Sequence, residues 1–178
     1  KTHTVWFGFE PAGGDSLAPD ACTSLDWVHR RVRVVSTPEY YASTGVFPHL
    51  LPASEDPDER LRTLLEGAIR GPKSLLSRRE TIDEYGWRNY GEVYADHENA
   101  YYEGPKPVIS HYNNQFDVVY GAILQQMRTG EAAWTDLFDP LARHVIDVDI
   151  YHTARDRAAY NGGLFWLTDH YRSAETAP

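Results

Sequence analysis

Two helix-forming segments separated by one glycine occupy residues 116–151 and constrain the fold more than any other feature of the sequence. In the first segment, the apolar residues Phe116, Tyr120, Ile123 and Met127 recur three or four positions apart, which is the spacing of one helix face. Gly130 follows shortly after, and glycine often ends a helix because it adopts left-handed backbone angles without strain. We therefore expect a helix that ends at Gly130.

The second segment is predicted to form a helix from about Glu131 to Tyr151, antiparallel to the first across a tight turn. Pro140 lies inside this helix and is expected to kink it or to split it in two. Antiparallel helical hairpins build bundles, solenoids and α/α toroids, and the periodicity favours none of these over the others. The predicted buried face comprises Trp134, Leu137, Phe138, Leu141, Val145 and Val148.

The first half of the chain contains shorter patterns. The alternation from Thr2 to Phe9 suits a short strand. Thr37-Pro38 is typical of an N-cap followed by the first helical residue, and predicts a short helix through Ala42. A longer helical pattern runs from Asp58 to Arg79, and it must break or kink at Gly71-Pro72. The predicted fold class is therefore mainly α with a short N-terminal strand.

The length and net charge of the chain restrict the classes of function that we expect for it. A chain of 178 residues suits a single domain, or a fragment of a larger one, covering residues 1–178. The net charge of −9 argues against nucleic-acid binding, which needs clustered lysine and arginine. No run of 18 apolar residues exists, so we expect no membrane-spanning helix. No signal peptide is recognisable and there is one cysteine, which leaves secreted and cytoplasmic locations both open.

Aromatic residues make up 13% of the chain, and many lie beside Asn, Asp or His between Tyr85 and Tyr171. Sugar-binding sites need this mixture, because aromatic faces stack on pyranose rings while polar groups hold the hydroxyls. We therefore predict that residues 85–171 line a carbohydrate-binding cleft. Tyr-rich polar surface also occurs in proteins that bind no sugar.

Four polar runs within that region contain the candidate site residues: 85–92 (YGWRNYGE), 110–117 (SHYNNQFD), 142–153 (ARHVIDVDIYHT) and 160–171 (YNGGLFWLTDHY). At about 100° per residue, His144, Asp147 and Tyr151 would share one side of the second helix and form the floor of a cleft. The alternative for this trio is a hydrogen-bonded helix flank.

The other runs have structural alternatives too. Asn113 or Asn114 would serve as the N-cap of the following helix. The glycine pair after Asn161 would form an ordinary turn, and the run at residues 85–92 would be a hydrogen-bonded loop. Motifs for a nucleophile elbow, a P-loop, a dinucleotide site and HExxH are missing. Histidines at positions 97, 111, 144, 152 and 170 leave a metal site open, but no pair has diagnostic spacing.

Taken together, YGWRNYGEVYADHE, SHYNNQFD, ARHVIDVDIYHT and YNGGLFWLTDHY resemble the central domain of the exo-rhamnogalacturonan lyase (YetA-like) family. The resemblance implies an incomplete (α/α) toroid, with flanking β-rich domains of a longer protein missing from this chain. The sequence departs from the family at Leu167, where a histidine is expected.

The resemblance implies a lyase that cleaves the rhamnogalacturonan backbone of pectin by β-elimination at galacturonic acid. Such a site needs a group that neutralises the developing negative charge and a base that removes the α-proton. Arg88, Asn89, Asn113 and Asn114 are the candidate neutralisers. The candidate catalytic acids and bases are His111, Tyr112, His170 and Tyr171. The predicted substrate-binding residues are Arg88, Asn89, Asn113, Asn114, Asp117, His144, Asp147, Tyr151, Asn161, Trp166 and Asp169.

The expected partner is an acidic oligo- or polysaccharide. Because this chain is itself acidic, Arg88 or a bound calcium ion would have to offset the repulsion. Two alternatives stay open: a glycoside hydrolase on the same scaffold, with Asp147 and Asp169 or Asp117 as its carboxylates, and a non-catalytic carbohydrate-binding fragment.

Overall fold

A computed structural model describes residues 32–82, 90–93, 115–155 and 159–164, together with Val5, Phe7 and Tyr85. The chain separates into two compact units, Thr2–Val35 and Ser36–Pro178. Within the described residues, 54% are helical and strand is almost absent, which confirms the mainly α class. In the predicted N-terminal strand, the two described residues, Val5 and Phe7, do not lie in a strand, and the rest is outside the described residues.

The described part of the larger unit contains five α-helices. They are α1 (Pro38–Ser43), α2 (Glu59–Ile69), α3 (Leu75–Ile82), α4 (Val118–Thr129) and α5 (Ala132–His144). A 3₁₀ turn, Ala53–Glu55, lies between α1 and α2, and a π-helical turn, Val145–Asp149, extends α5. None of the described helices is long and apolar enough to cross a membrane.

Local sequence signals account for most helix ends. The Thr37 hydroxyl accepts from the Tyr40 backbone N–H, and Pro38 follows as the first helical residue. The carboxylate of Asp58 caps α2 in the same way. The helical pattern breaks between Ile69 and Leu75, as the Gly71-Pro72 pair predicts. Gly130 adopts the left-handed backbone (φ 70°) that ends α4.

Helices α4 and α5 form the predicted antiparallel hairpin, joined through residues 130–131. Pro140 does not split α5, which is continuous from Ala132 to His144, but the α-helix ends seven residues before the predicted Tyr151. The face that α4 buries agrees with the predicted stripe at Met127 but not at its start: Phe116 precedes the helix, and both it and Tyr120 are exposed. The buried residues of α4 are Ala122, Gln126 and Met127.

The core lies between α2, the hairpin and the 90–93 segment. The central cluster is formed by Ile69, Val93, Ala122, Trp134 and Leu137, all at most 9% exposed. Arg128 fixes the loop before α2, since its guanidinium donates to the Leu51 carbonyl (2.9 Å) and pairs with Asp56. Burial of Val93 in this cluster ties the 90–93 segment to the helices.

Candidate functional site

The 90–93 segment runs between α3 and α5 and is held on both sides. Arg79 of α3, which is buried, donates from Nη2 to the Gly91 carbonyl at 3.0 Å. On the other side, a β-carbon built on Gly91 would lie 2.3 Å from the carbonyl oxygen of Pro140. Gly91 also has a φ of +103°, a backbone angle that residues with a side chain rarely adopt. Only glycine fits this contact, so Gly91 fixes how the segment lies on α5.

This contact places the segment against the ring of His144, the last residue of α5. His144 is 1% exposed, and its Nδ1 lies 3.2 Å from the Tyr90 carbonyl oxygen. Because a carbonyl only accepts hydrogen bonds, Nδ1 carries the proton in this contact. In the neutral form of the ring, Nε2 then carries a lone pair on the other side of the ring.

Two carboxylates lie on that side of the ring. Nε2 of His144 is 3.5 Å from Oε1 of Glu92 and 3.2 Å from Oδ1 of Asp149. Glu92 and Asp149 are each 2% exposed. One ligand atom from each of the three residues lies within 4.8 Å of the others. We call Glu92, His144 and Asp149 the buried triad.

The π-helical turn brings Asp149 into the buried triad. Its hydrogen bond runs from the Ile150 N–H to the Val145 carbonyl (3.1 Å), five residues back instead of the four of an α-helix. The wider turn shifts the following side chains relative to α-helical spacing. Asp149 is buried beside His144 as a result, and Asp147 is exposed.

The buried triad has the chemistry of a metal-binding or proton-holding site. Imidazole nitrogen and carboxylate oxygen are the ligand atoms of many Zn²⁺ sites. The hydrogen bond from Nδ1 to a backbone carbonyl is the usual outer contact of a metal-bound histidine. The competing arrangement of the same groups is an imidazolium that pairs with the two carboxylates.

A second junction joins the residues after the π turn to the YNGG run. Ile150 and Leu164 form an antiparallel bridge. Tyr151 N–H donates to the Gly163 carbonyl (2.9 Å), and Gly162 N–H donates to the Tyr151 carbonyl (3.0 Å). Gly162 has a φ of +67°, and a β-carbon on Gly163 would lie 2.9 Å from the Tyr160 carbonyl oxygen. The glycine pair thus forms a tight turn that positions this strand-like pairing.

A hydrogen bond from Tyr85 to Glu80 of α3 lies near the start of the first polar run. The Tyr85 and Tyr90 rings are 5.8 Å apart, and the Arg79 guanidinium lies 5.9 Å from the centre of the Tyr90 ring. The hydrogen bond to Glu80 and partial burial raise the pKa of the Tyr85 phenol to about 12. Tyr85 is therefore a hydrogen-bond donor at neutral pH.

Five of the predicted site residues lie in the described part of the chain, and they differ in their surroundings. His144 is buried, Tyr151 is half-buried, and Asp117, Asp147 and Asn161 are exposed. Asp117 is the N-cap of α4, where its carboxylate accepts from the Tyr120 N–H (3.2 Å). Helix α4 therefore does not use Asn113 or Asn114 as its cap. His144 and Asp147, which the sequence predicts to share one side of the second helix, differ in burial, and Asp147 lies within the π turn that follows α5.

The remaining predicted site residues lie outside the described residues: Arg88, Asn89, His111, Tyr112, Asn113, Asn114, Trp166, Asp169, His170 and Tyr171. A groove of about 640 Å³ opens between α2 and the hairpin. Its lining is mostly apolar, and of the predicted residues that the structure describes, Asp117 alone lines it.

Sequence reasoning did not select Glu92 and Asp149 as site residues. Glu92 ends the first polar run and Asp149 lies in the third, so both stand in regions that the polar pattern marks. Their pairing with His144 depends on the Gly91 contact and on the π turn, and neither is visible in hydrophobic periodicity.

The first and fourth polar runs both contact the third run where α5 ends. The second run ends at Asp117, the cap of the preceding helix α4. Residues 90–92 contact α5 at Pro140 and His144, and residues 162–164 pair with Ile150 and Tyr151.

In comparisons with known proteins, no family model, no curated protein and no solved structure matches this chain.

Proposed function

We propose that the chain is part of a polysaccharide lyase that cleaves the rhamnogalacturonan backbone of pectin by β-elimination at galacturonic acid. The observation that supports this most is that the first and fourth polar runs both contact the third run where α5 ends. A cleft that holds a sugar chain needs such a convergence of polar and aromatic residues. The hairpin would be one unit of an (α/α) toroid.

The reaction removes the proton α to the uronate carboxylate and expels the oxygen at the β-carbon. Negative charge develops on the carboxylate, so a neutralising group must face it. Arg88, Asn89, Asn113 and Asn114 supply this group in the proposal. A histidine or tyrosine takes the α-proton, and a tyrosine O–H protonates the leaving oxygen. The favoured pairs are His111 with Asn114 and His170 with Tyr171, and Tyr112 is a further candidate for base or acid.

An acidic polymer must overcome the net charge of −9 on this chain. Arg88 in the first polar run, or a calcium ion bound together with the substrate carboxylate, would supply the local positive charge. Activity is therefore measured both with added Ca²⁺ and with a chelator. If Ca²⁺ acts in this way, its removal raises KM more than it lowers kcat.

The direct test is incubation of the chain with rhamnogalacturonan while ultraviolet absorbance and reducing ends are both recorded. Elimination creates a carbon–carbon double bond in the product, so absorbance rises in step with new reducing ends. Reducing ends without a rise in absorbance would identify a glycoside hydrolase instead. Sugar binding without either product would identify a non-catalytic binding module.

Matched variants test the assigned residues. His111→Asn and His170→Asn are expected to lower kcat by about 10²- to 10⁴-fold, the usual contribution of a general acid or base. His49→Asn is the control, because His49 is exposed and its left-handed backbone (φ 65°) accommodates asparagine. Tyr171→Phe is compared with Tyr40→Phe on the exposed side of α1. Equal turnover in the test and control variants would exclude these residues from catalysis.

A further inference from the structure

We propose that Glu92, His144 and Asp149 bind one divalent first-row transition-metal ion, with Zn²⁺ as the best match. The proposal does not depend on the lyase activity, because it rests only on the geometry of the buried triad. The triad joins two parts of the chain that are distant in sequence, the 90–93 segment and the end of α5 with its π turn. A metal ion there would bind these parts to each other.

The two distances from His144 match a metal site, and the ligand oxygens of Glu92 and Asp149 lie within 4.8 Å of each other. A tetrahedral ion with bonds of about 2.1 Å separates its ligand atoms by about 3.4 Å. Nε2 of His144 lies 3.2 Å from the Asp149 oxygen and 3.5 Å from the Glu92 oxygen. The imidazole nitrogen favours a transition-metal ion over Ca²⁺, whose ligands are oxygen atoms.

The nitrogen that faces the carboxylates is also in the state that a metal needs. Nδ1 of His144 donates its proton to the Tyr90 carbonyl, so the neutral ring carries its lone pair on Nε2. Nε2 is fully buried and has no hydrogen-bond partner, although two carboxylate oxygens lie within 3.5 Å. Those oxygens are off the direction that an Nε2–H bond would take. A metal ion bound to Nε2 and to both carboxylates would give this buried nitrogen the partner that it lacks.

Charge balance supports the same assignment. Charged groups buried in proteins are paired or coordinate metals, because their removal from water is costly. One divalent cation neutralises the two carboxylates of the triad while the histidine stays neutral. In the competing arrangement, a protonated His144 lies between the two carboxylates. Titration with a metal ion distinguishes that arrangement from a metal site.

The first measurement uses the chain without an affinity tag, stripped with a chelator and dialysed. Zn²⁺ is titrated by calorimetry, and bound metal is counted after gel filtration. We expect one tightly bound equivalent, and a higher urea midpoint in the presence of Zn²⁺ because the ion binds the folded state. A chain that takes up no Zn²⁺ and shows no shift in midpoint overturns the proposal.

Isosteric variants locate the bound ion. Glu92→Gln and Asp149→Asn keep the size and hydrogen-bonding capacity of each side chain but remove its charge. Loss of an outer contact of a metal ligand already weakens binding by about 10- to 100-fold, so each variant is expected to lose at least that much affinity. Asp147→Asn is the matched control, since Asp147 lies on the same π turn but is exposed.

The proposal is wrong if Zn²⁺ affinity is the same in Glu92→Gln, Asp149→Asn and the unchanged chain. It is also wrong if the Asp147→Asn control loses the ion, because the binding site would then be on the surface. Retention of one equivalent by the control, together with its loss from both test variants, identifies the buried triad as the site. Lyase activity is not read in this experiment, so the two proposals fail separately.

Discussion

A β-carbon on Gly91 would lie 2.3 Å from the carbonyl oxygen of Pro140, so the backbone of the 90–93 segment approaches α5 more closely than any other residue type would allow. The approach sets Tyr90 and Glu92 on opposite edges of the His144 ring. A backbone contact between a glycine and a proline therefore positions the side chains of the buried triad.

Gly91→Ala is expected to lower the free energy of unfolding by about 2–4 kcal/mol, because a new methyl group meets backbone atoms and φ must stay positive. Urea unfolding measures the change. Gly67→Ala is the control: Gly67 lies within α2 and a β-carbon added there would meet no atom within 4 Å, so alanine should stabilise the helix by up to about 1 kcal/mol. Similar stabilities for the two variants would contradict the close contact.

Asp58→Ala is expected to lower the free energy of unfolding by about 1 kcal/mol through loss of the α2 cap. The Asp58 carboxylate accepts from the backbone N–H groups of Arg60 (2.9 Å) and Leu61 (3.1 Å). Asp58→Asn keeps an acceptor oxygen and should retain most of the stability. An Asn variant as unstable as the Ala variant would show that charge, and not capping, is the cause.

Asp56 should make the stability of the chain depend on acid pH. The backbone N–H of Asp58 donates to its carboxylate and Arg128 pairs with it, and both lower the pKa of Asp56 below 3.8. The lowered pKa means that the contribution is complete above the unfolded pKa of about 3.9 and disappears as pH falls through the folded value. The stability difference between the unchanged chain and Asp56→Asn should therefore be constant near neutral pH and shrink below about pH 4. Urea midpoints across this range measure it, and a difference that grows in acid would contradict the assignment.

Tyr85 should titrate late in the folded protein. Its hydrogen bond to Glu80 raises the pKa to about 12, so its contribution to stability is present below the unfolded value and lost as pH rises through the folded one. The difference in phenolate absorbance between the unchanged chain and Tyr85→Phe should have its midpoint near that pKa. Glu80→Gln removes the carboxylate and should move the midpoint toward about 10. An unchanged midpoint in Glu80→Gln would show that Glu80 is not the cause.

The elements that the sequence predicts well are those whose causes are local. Thr37 as the cap of α1, the break at Gly71-Pro72 and the left-handed Gly130 each depend on a few neighbouring residues, and all three are confirmed. The hairpin is confirmed for the same reason, because its two helices adjoin in sequence.

The features that the sequence does not predict depend on distant contacts. Periodicity places Tyr120 on the apolar stripe, but it is exposed, and the buried side of α4 includes Gln126. The α-helical spacing selects Asp147 beside His144, whereas the π turn presents Asp149. Glu92 reaches the site only because Gly91 lets its segment approach a helix about fifty residues away. Residue composition identifies these regions as polar, but it does not show which of their residues contact one another.

For the position of Asp149 beside His144, the number of residues in the π turn Val145–Asp149 matters more than the identity of its exposed side chains. Ile146 and Asp147 are exposed, so substitutions there should be tolerated. Deletion of either residue would instead remove the extra residue that the wide turn accommodates, and α-helical winding would carry Asp149 away from His144. Between His144 and Asp149, we therefore expect that the chain tolerates exchange of the exposed residues but neither an insertion nor a deletion.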